Sequence, residues 1–177
     1  DVTRGTLAPH NEDAERAVLA AMLVDKDAAL QAVNLVRAGD FYRERHAVLF
    51  AAMQRLQGTG AEIDPLTLPA ELEAAGDLKR AGDREFIASL LDEVPTTSGL
   101  PHWAKLVREA AERRRLLQLG RQLQAAALDA AISLDQVRDV ASRQLLAAVE
   151  GEAGQGFRPV RHYVEQMLQR LQALEDN

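Results

Sequence analysis

PHWAKLVREAAERRRLLQLGRQLQAAALDA, residues 101–130, holds no proline after Pro101 and a single glycine, Gly120. Trp103, Val107, Ala110, Leu117 and Leu123 recur in it at helical spacing. The pattern runs well past the usual globular helix of about 11–12 residues. Ser133 followed by Gln136 then makes a capping-box pattern, and Leu134, Val137, Val140, Ala141, Leu145 and Ala148 continue the apolar periodicity. Two long helices joined by a tight turn are predicted, a helical hairpin over residues 99–150. Such a hairpin has two faces to bury. It is expected to project and to pair with a second copy, through Leu117, Leu123, Val137 and Leu145.

Before it the elements are shorter. Residues 1–10 carry no periodicity and read as a loose leader, and residues 11–98 read as a globular helical bundle. Asn11 is an N-cap residue followed by Glu12 and Asp13, whose charges suit the positive end of a helix; Ala14, Ala17, Val18, Ala21 and Met22 share one face. A second helix is expected from Asp25, burying Leu30, Val33 and Val36 and stopping at Gly39. A third carries His46, Leu49, Phe50, Met53 and Leu56 along one stripe and ends at Gly58 and Gly60. Asp64 and Pro65 open a fourth, with Leu68, Leu72 and Ala75 inward. Phe86, Ile87, Leu90 and Leu91 mark another, ending at Val94 before Pro95.

Behind the hairpin, Gly151, Gly154 and Gly156 break helix. Phe157, Val160, Val164, Met167, Leu171 and Leu174 then follow at 3,4,3,4,3 spacing, one narrow seam on a helix. Nothing later in the chain offers that seam a surface, so a partner is expected to hold it. Residues 151–177 are thus a glycine-broken linker with a linker helix. The chain starts at Asp1 without methionine, and a trimmed or expressed fragment is expected.

Composition points the same way. Of 177 residues, 47% are hydrophobic, 27% charged and only 4% aromatic, and the apolar share is mostly Ala, Leu and Val. An all-α protein with a real core follows. The net charge of −6 argues against a free-standing nucleic-acid binder. Arg113, Arg114 and Arg115 are flanked by Glu109 and Glu112 and read as a solvated, self-paired face. No cysteine is present, which excludes disulfides and thiolate zinc sites. No apolar run approaches the roughly twenty residues that span a bilayer, so no membrane partner and a cytoplasmic address are expected.

Catalytic motifs are missing. None of the three lysines, Lys26, Lys79 and Lys105, follows a glycine, which excludes a P-loop. There is no Gly-x-Ser-x-Gly and no His-Glu-x-x-His, and no histidine has a glutamate three residues before it, as a di-metal bundle needs. His46 lies on an apolar stripe with no second ligand at i+4, and a buried, hydrogen-bonded histidine is the better reading than a base or ligand. Trp103 and Tyr163 stand outside any basic stretch and read as core or interface residues. No catalytic, cofactor or metal residue is assigned.

Four stretches together carry a resemblance: PHNEDAERAVLAAMLVD (9–25), DFYRERHAVLFAAM (40–53), IDPLTLPAELEAAGDL (63–78), and EVPTTSG (93–99) leading to HWAKLVREAAERRRL (102–116). In this order and spacing they resemble the amino-terminal domain of the bacterial replicative DNA helicase, the hexameric DnaB-type enzyme. The likeness runs from Pro9 onward, and the terminal helix resembles that family's linker helix. Two departures stand out: the family usually carries tyrosine where Trp103 stands and asparagine near Gly99.

The resemblance implies a non-catalytic collar. Bundle and hairpin would pair into dimers, three of which ring a hexamer, and the collar would receive the carboxy-terminal domain of primase. Leu128, Ile132 and Leu134 at the hairpin tip are the implied primase anchors, although the same three residues also suit stapling of the turn. The linker helix would dock on a neighbouring subunit's motor. ATP and magnesium would belong to that motor, which is expected after Asn177, and DNA would be engaged only through the full-length hexamer. A helicase loader is a further partner that the resemblance allows. Two other readings stay open. The helicase-binding carboxy-terminal domain of primase is a similar bundle, but its chain ends at the hairpin. A small helical transcription regulator would use the helix from Arg43 to Gln57, whose neighbours are acidic.

Overall fold

The structure, a computed structural model, describes residues 7–92 and 96–150, and all regular structure among them is helical. In order come α1 (Glu12–Val24), α2 (Lys26–Leu35), a 3-10 turn (Ala38–Asp40), α3 (Glu44–Gly58), α4 (Thr67–Ala74), α5 (Leu78–Ala81), α6 (Asp83–Leu90), α7 (Leu100–Leu128) and α8 (Leu134–Glu150). Strong local signals set the starts. Asn11 Oδ1 accepts the Ala14 amide at 2.9 Å, and Asp25 Oδ1 accepts the Asp27 amide at 2.8 Å, so each carboxamide or carboxylate satisfies an orphan donor of a first turn. Asp64 Oδ1 does the same for Leu66 and Thr67, which places Pro65 just ahead of α4. The Ser133–Gln136 box is present, with the Gln136 amide donating to Ser133 Oγ and the Ser133 amide donating to Gln136 Oε1.

α3 is the hub of the bundle and packs against α1, α2, α4 and α5. Its stripe of His46, Leu49, Phe50, Met53 and Leu56 is buried, facing Val18, Leu19 and Met22 of α1. Two inward expectations fail: Leu30 and Ala75 are exposed, and α2 buries Ala28, Ala29 and Ala32 instead. Alanines let α2 lie close on α1, and that close approach turns the longer Leu30 toward the rim. α5, a single turn, had no signal of its own. It ends at Gly82, whose φ of 95° lies in the left-handed region, and a Cβ there would meet the Phe86 ring at 2.9 Å. The end expected at Val94 lies outside the described residues.

Compact packing divides the chain at Arg115 and Leu116, inside α7. The boundary drawn from sequence at 98/99 falls well before this, because Leu100, Ala104 and Val107 belong to the bundle core. Trp103 packs partly buried against that core, and Gly99 makes room for it: a Cβ on Gly99 would sit 2.5 Å from Trp103 Cζ2. Gly99 and Trp103 are therefore coupled through one packing contact. Gly99→Ala should cost about 1–3 kcal/mol by overpacking, and adding Trp103→Tyr should return part of it. Urea midpoints of the single and double variants check this; a neutral Gly99→Ala would separate the two positions.

Candidate assembly surface

In the unit that begins at Leu116, α7 joins α8 through the turn at residues 129–133, held by the Ile132 amide on the Asp129 carbonyl and the Ala131 amide on Asp129 Oδ1. Its apolar side chains fall into two groups. Leu119, Leu123 and Ala126 on α7 and Val137 and Ala141 on α8 are half-buried, at i, i+4, i+7 and i, i+4. Leu116, Leu117, Val140, Leu145 and Leu146 are exposed, Leu117 at 48% and Leu145 at 51%. The four residues expected at a copy-to-copy contact thus divide: Leu117 and Leu145 are free surface, whereas Leu123 and Val137 are partly covered within one chain. Around the turn, Leu128, Ile132 and Leu134 are all exposed, Leu128 at 79%. So much apolar side chain in water on one short unit is a feature of interaction surfaces.

Sequence reasoning missed Leu116, Val140 and Leu146. The signal was there in the adjacent pairs Leu116–Leu117 and Leu145–Leu146, because neighbours on a helix lie about 100° apart and one stripe cannot take both. The seam residues Phe157, Val160, Val164, Met167, Leu171 and Leu174, and Tyr163, lie outside the described residues.

Two polar networks of the first unit join segments distant in sequence. Glu15 is buried on α1, and its carboxylate accepts the Tyr42 amide at 2.6 Å, the Arg43 amide at 3.3 Å and His46 Nδ1 at 2.7 Å. His46 is fully buried, and its ring stacks on Phe86 with centroids 5.8 Å apart. It is therefore the hydrogen-bonded core histidine that its stripe suggested. Glu15 caps the start of α3 from another helix, through amides 27 and 28 residues away in sequence. Glu12, one turn earlier, takes Arg43 Nη2 at 2.6 Å and Arg45 Nη2 at 2.8 Å, and the Arg43 hydrogen bond foremost holds its carboxyl below the usual range.

The second network corrects the reading of the arginine run. Arg115 does pair with Glu112, but it also reaches the buried Asp40 carboxylate. Arg114 donates to the Pro9 carbonyl at 2.8 Å and the Asp40 carbonyl at 2.5 Å, and its guanidinium lies 5.6 Å from the centroid of the Tyr42 ring, on which His10 stacks at 4.4 Å. Two of the three arginines clamp α7 to the corner at Asp40. The cations of α3 are likewise engaged, Arg43 and Arg45 by Glu12 and Arg55 by Glu71, which leaves that helix ill-suited as a recognition helix. Among the described residues no helix is long and apolar enough to cross a membrane, and no three His, Cys, Asp or Glu side chains gather as metal ligands do.

The described residues are all helical, and leucines stand exposed on the unit that begins at Leu116. The chain belongs to the DnaB-like helicase N terminal domain family, which it matches over residues 7–109. It is 30% identical over 169 residues to the replicative DNA helicase DnaB of Treponema pallidum, covering 96% of this chain and 39% of that protein. With the Mycobacterium leprae replicative DNA helicase DnaB it shares 30% identity over 175 residues, covering 98% of this chain and 29% of the relative. The chain thus spans well under half the length of these relatives. The crystal structure of the N-terminal domain of DnaB helicase from Mycobacterium tuberculosis superposes with a TM-score of 0.75 at 32% identity, covering 80% of this chain and 99% of that one. A DnaB-like replicative helicase, whose structure is described together with its interactions with primase, shares the fold at a TM-score of 0.58 and 18% identity, covering 90% of this chain and 35% of that one.

Proposed function

We propose that this chain is the collar of a hexameric replicative helicase. Copies pair through the unit that begins at Leu116, primase docks near the turn at 129–133, and residues 157–174 tether an ATPase motor that carries the ATP, magnesium and DNA chemistry in the cytoplasm. The observation that carries the reading is the cluster of exposed leucines on α7 and α8 in a chain of the DnaB-like N-terminal family. Burying one such side chain contributes about 1.5–3 kcal/mol, so a few anchors suffice for micromolar recognition. Primase is favoured as the partner because the structure of one fold relative is described together with its interactions with primase.

The test is isothermal titration of the cognate primase carboxy-terminal domain against the wild-type chain and a Leu128→Asp/Leu134→Asp variant. Both positions are exposed, so the fold should stay intact, as circular dichroism would verify. Affinity should fall at least about tenfold, or 1.4 kcal/mol. Equal affinity would remove the turn from the site. No binding by the wild type would remove primase from the proposal.

A further inference from the structure

A groove lies on the bundle where α1 passes into α2 and the chain leaves α3. It encloses about 410 Å³ and is floored by Met22, Leu23, Ala29 and Ile63, with Gln57 in its wall. At its edge Val24 and Leu30 stand 55% and 48% exposed and form an apolar lip. Asp25, Glu62 and Asp64 rim it, with Lys26 as the single opposing charge. The carboxyls of Asp25 and Asp64 are held below the usual range, foremost by the amides of Asp27 and Thr67. Gln57 Nε2 is buried and has no acceptor among the described residues. A long apolar floor, an acidic rim and an idle amide donor suit a basic amphipathic helix whose backbone or side chains bring an acceptor.

Outside the described helices the chain contains one stretch of that chemistry. Residues 157–174, FRPVRHYVEQMLQRLQAL, combine the six-residue apolar seam with Arg158, Arg161 and Arg170 against Glu165 alone, and add three glutamines as acceptors. The other stretches do not fit. Residues 1–6 offer only Val2 as a large apolar side chain, and α8 sets Asp135, Asp139 and Glu150 against Arg138 and Arg143, so it brings no net positive charge to the rim.

We propose that the groove between Met22 and Asp64 is a seat for residues 157–174 of this chain. The seat shelters the seam whenever no motor surface holds it. This goes beyond the collar reading and stands on the groove and the charge pattern, not on the comparisons. In the longer protein it would make motor tethering a competition: the seam leaves an acidic groove on the collar to join the motor, so the tether has two states.

The absence of cysteine makes a clean test available. Chains of these 177 residues carry Leu30→Cys together with Val164→Cys or Met167→Cys, and reference chains carry Glu85→Cys with the same partners, Glu85 being exposed and outside the groove lining. Under mild oxidation the Leu30 pairs should close about tenfold faster than the reference pairs, reflecting a raised local concentration. A covalent monomer or a covalent dimer supports the seat equally and tells which copy delivers the segment. Glu62→Lys, or an ionic strength of about 1 M where the screening length falls to about 3 Å, should slow closure several-fold. Leu30 pairs that close no faster than the reference pairs overturn the proposal, as does a rate indifferent to both Glu62→Lys and salt. Thermal melts of the unoxidised variants, expected to match the parent, establish that these exposed substitutions leave the fold intact.

Discussion

Glu15→Leu is expected to lower the stability of the bundle by about 3–5 kcal/mol. The substitution strips the acceptor from three donors at once: the amides of Tyr42 and Arg43, and His46 Nδ1, which is wholly enclosed. Each buried donor left without a partner costs about 1–3 kcal/mol, and leucine can refill the volume but not the hydrogen bonds. His46→Phe removes one donor and leaves the carboxylate its two amides, so its cost should be clearly smaller, about 1–2 kcal/mol. That order distinguishes a carboxylate that caps α3 from one that merely pairs with histidine. Urea unfolding followed by Trp103 fluorescence measures both, since Trp103 packs on the same core. A Glu15→Leu midpoint within 1 kcal/mol of the parent, or a costlier His46→Phe, would show that the cap contributes little.

Self-association should collapse in a Leu117→Glu/Leu145→Glu double variant. Both side chains are half-exposed in one chain, so charging them leaves the monomer its fold, yet an interface that covers them must then bury two unpaired carboxylates. A penalty of several kcal/mol, at least about three decades in dissociation constant, is expected. Leu123 and Val137 are poorer probes because they are half-buried within the chain, where glutamate would loosen the helices and the association together. Sedimentation equilibrium over a wide loading range decides the matter. An unchanged mass average for the Leu117/Leu145 variant would move the contact elsewhere.

What the sequence disclosed was local, and what it hid was distant. The helical class, the caps at Asn11 and Asp25, the Ser133–Gln136 box and the α3 stripe each depend on residues within a turn or two of one another, where periodicity and capping chemistry speak directly. Leu30 was read as inward because a helix of alternating alanine and larger apolar residues offers two candidate faces, and the alanine face won through closer packing. The Glu15 cap, the Arg114 and Arg115 clamp and the acidic groove join segments 27 to 105 residues apart, and no window along the chain contains both ends of any of them. Of the residues read from sequence as contact candidates, Leu117, Leu145 and the three turn residues are exposed while Leu123 and Val137 are half-buried, because periodicity alone does not say which stripe meets the neighbouring helix.

Arg114 spends its donors on two main-chain carbonyls, one of them at Pro9, 105 residues upstream. Carbonyls are present whatever the side chain, so this anchor tolerates drift at positions 9 and 40 while the arginine itself has no substitute. It also sets a schedule during synthesis. The entry to α1 stays unfastened until residue 114 has left the ribosome, and the core cannot close until Leu100, Ala104 and Val107 have followed the rest. A nascent bundle paused near residue 98 would therefore show an open cap on its core, the state in which a chaperone would find it.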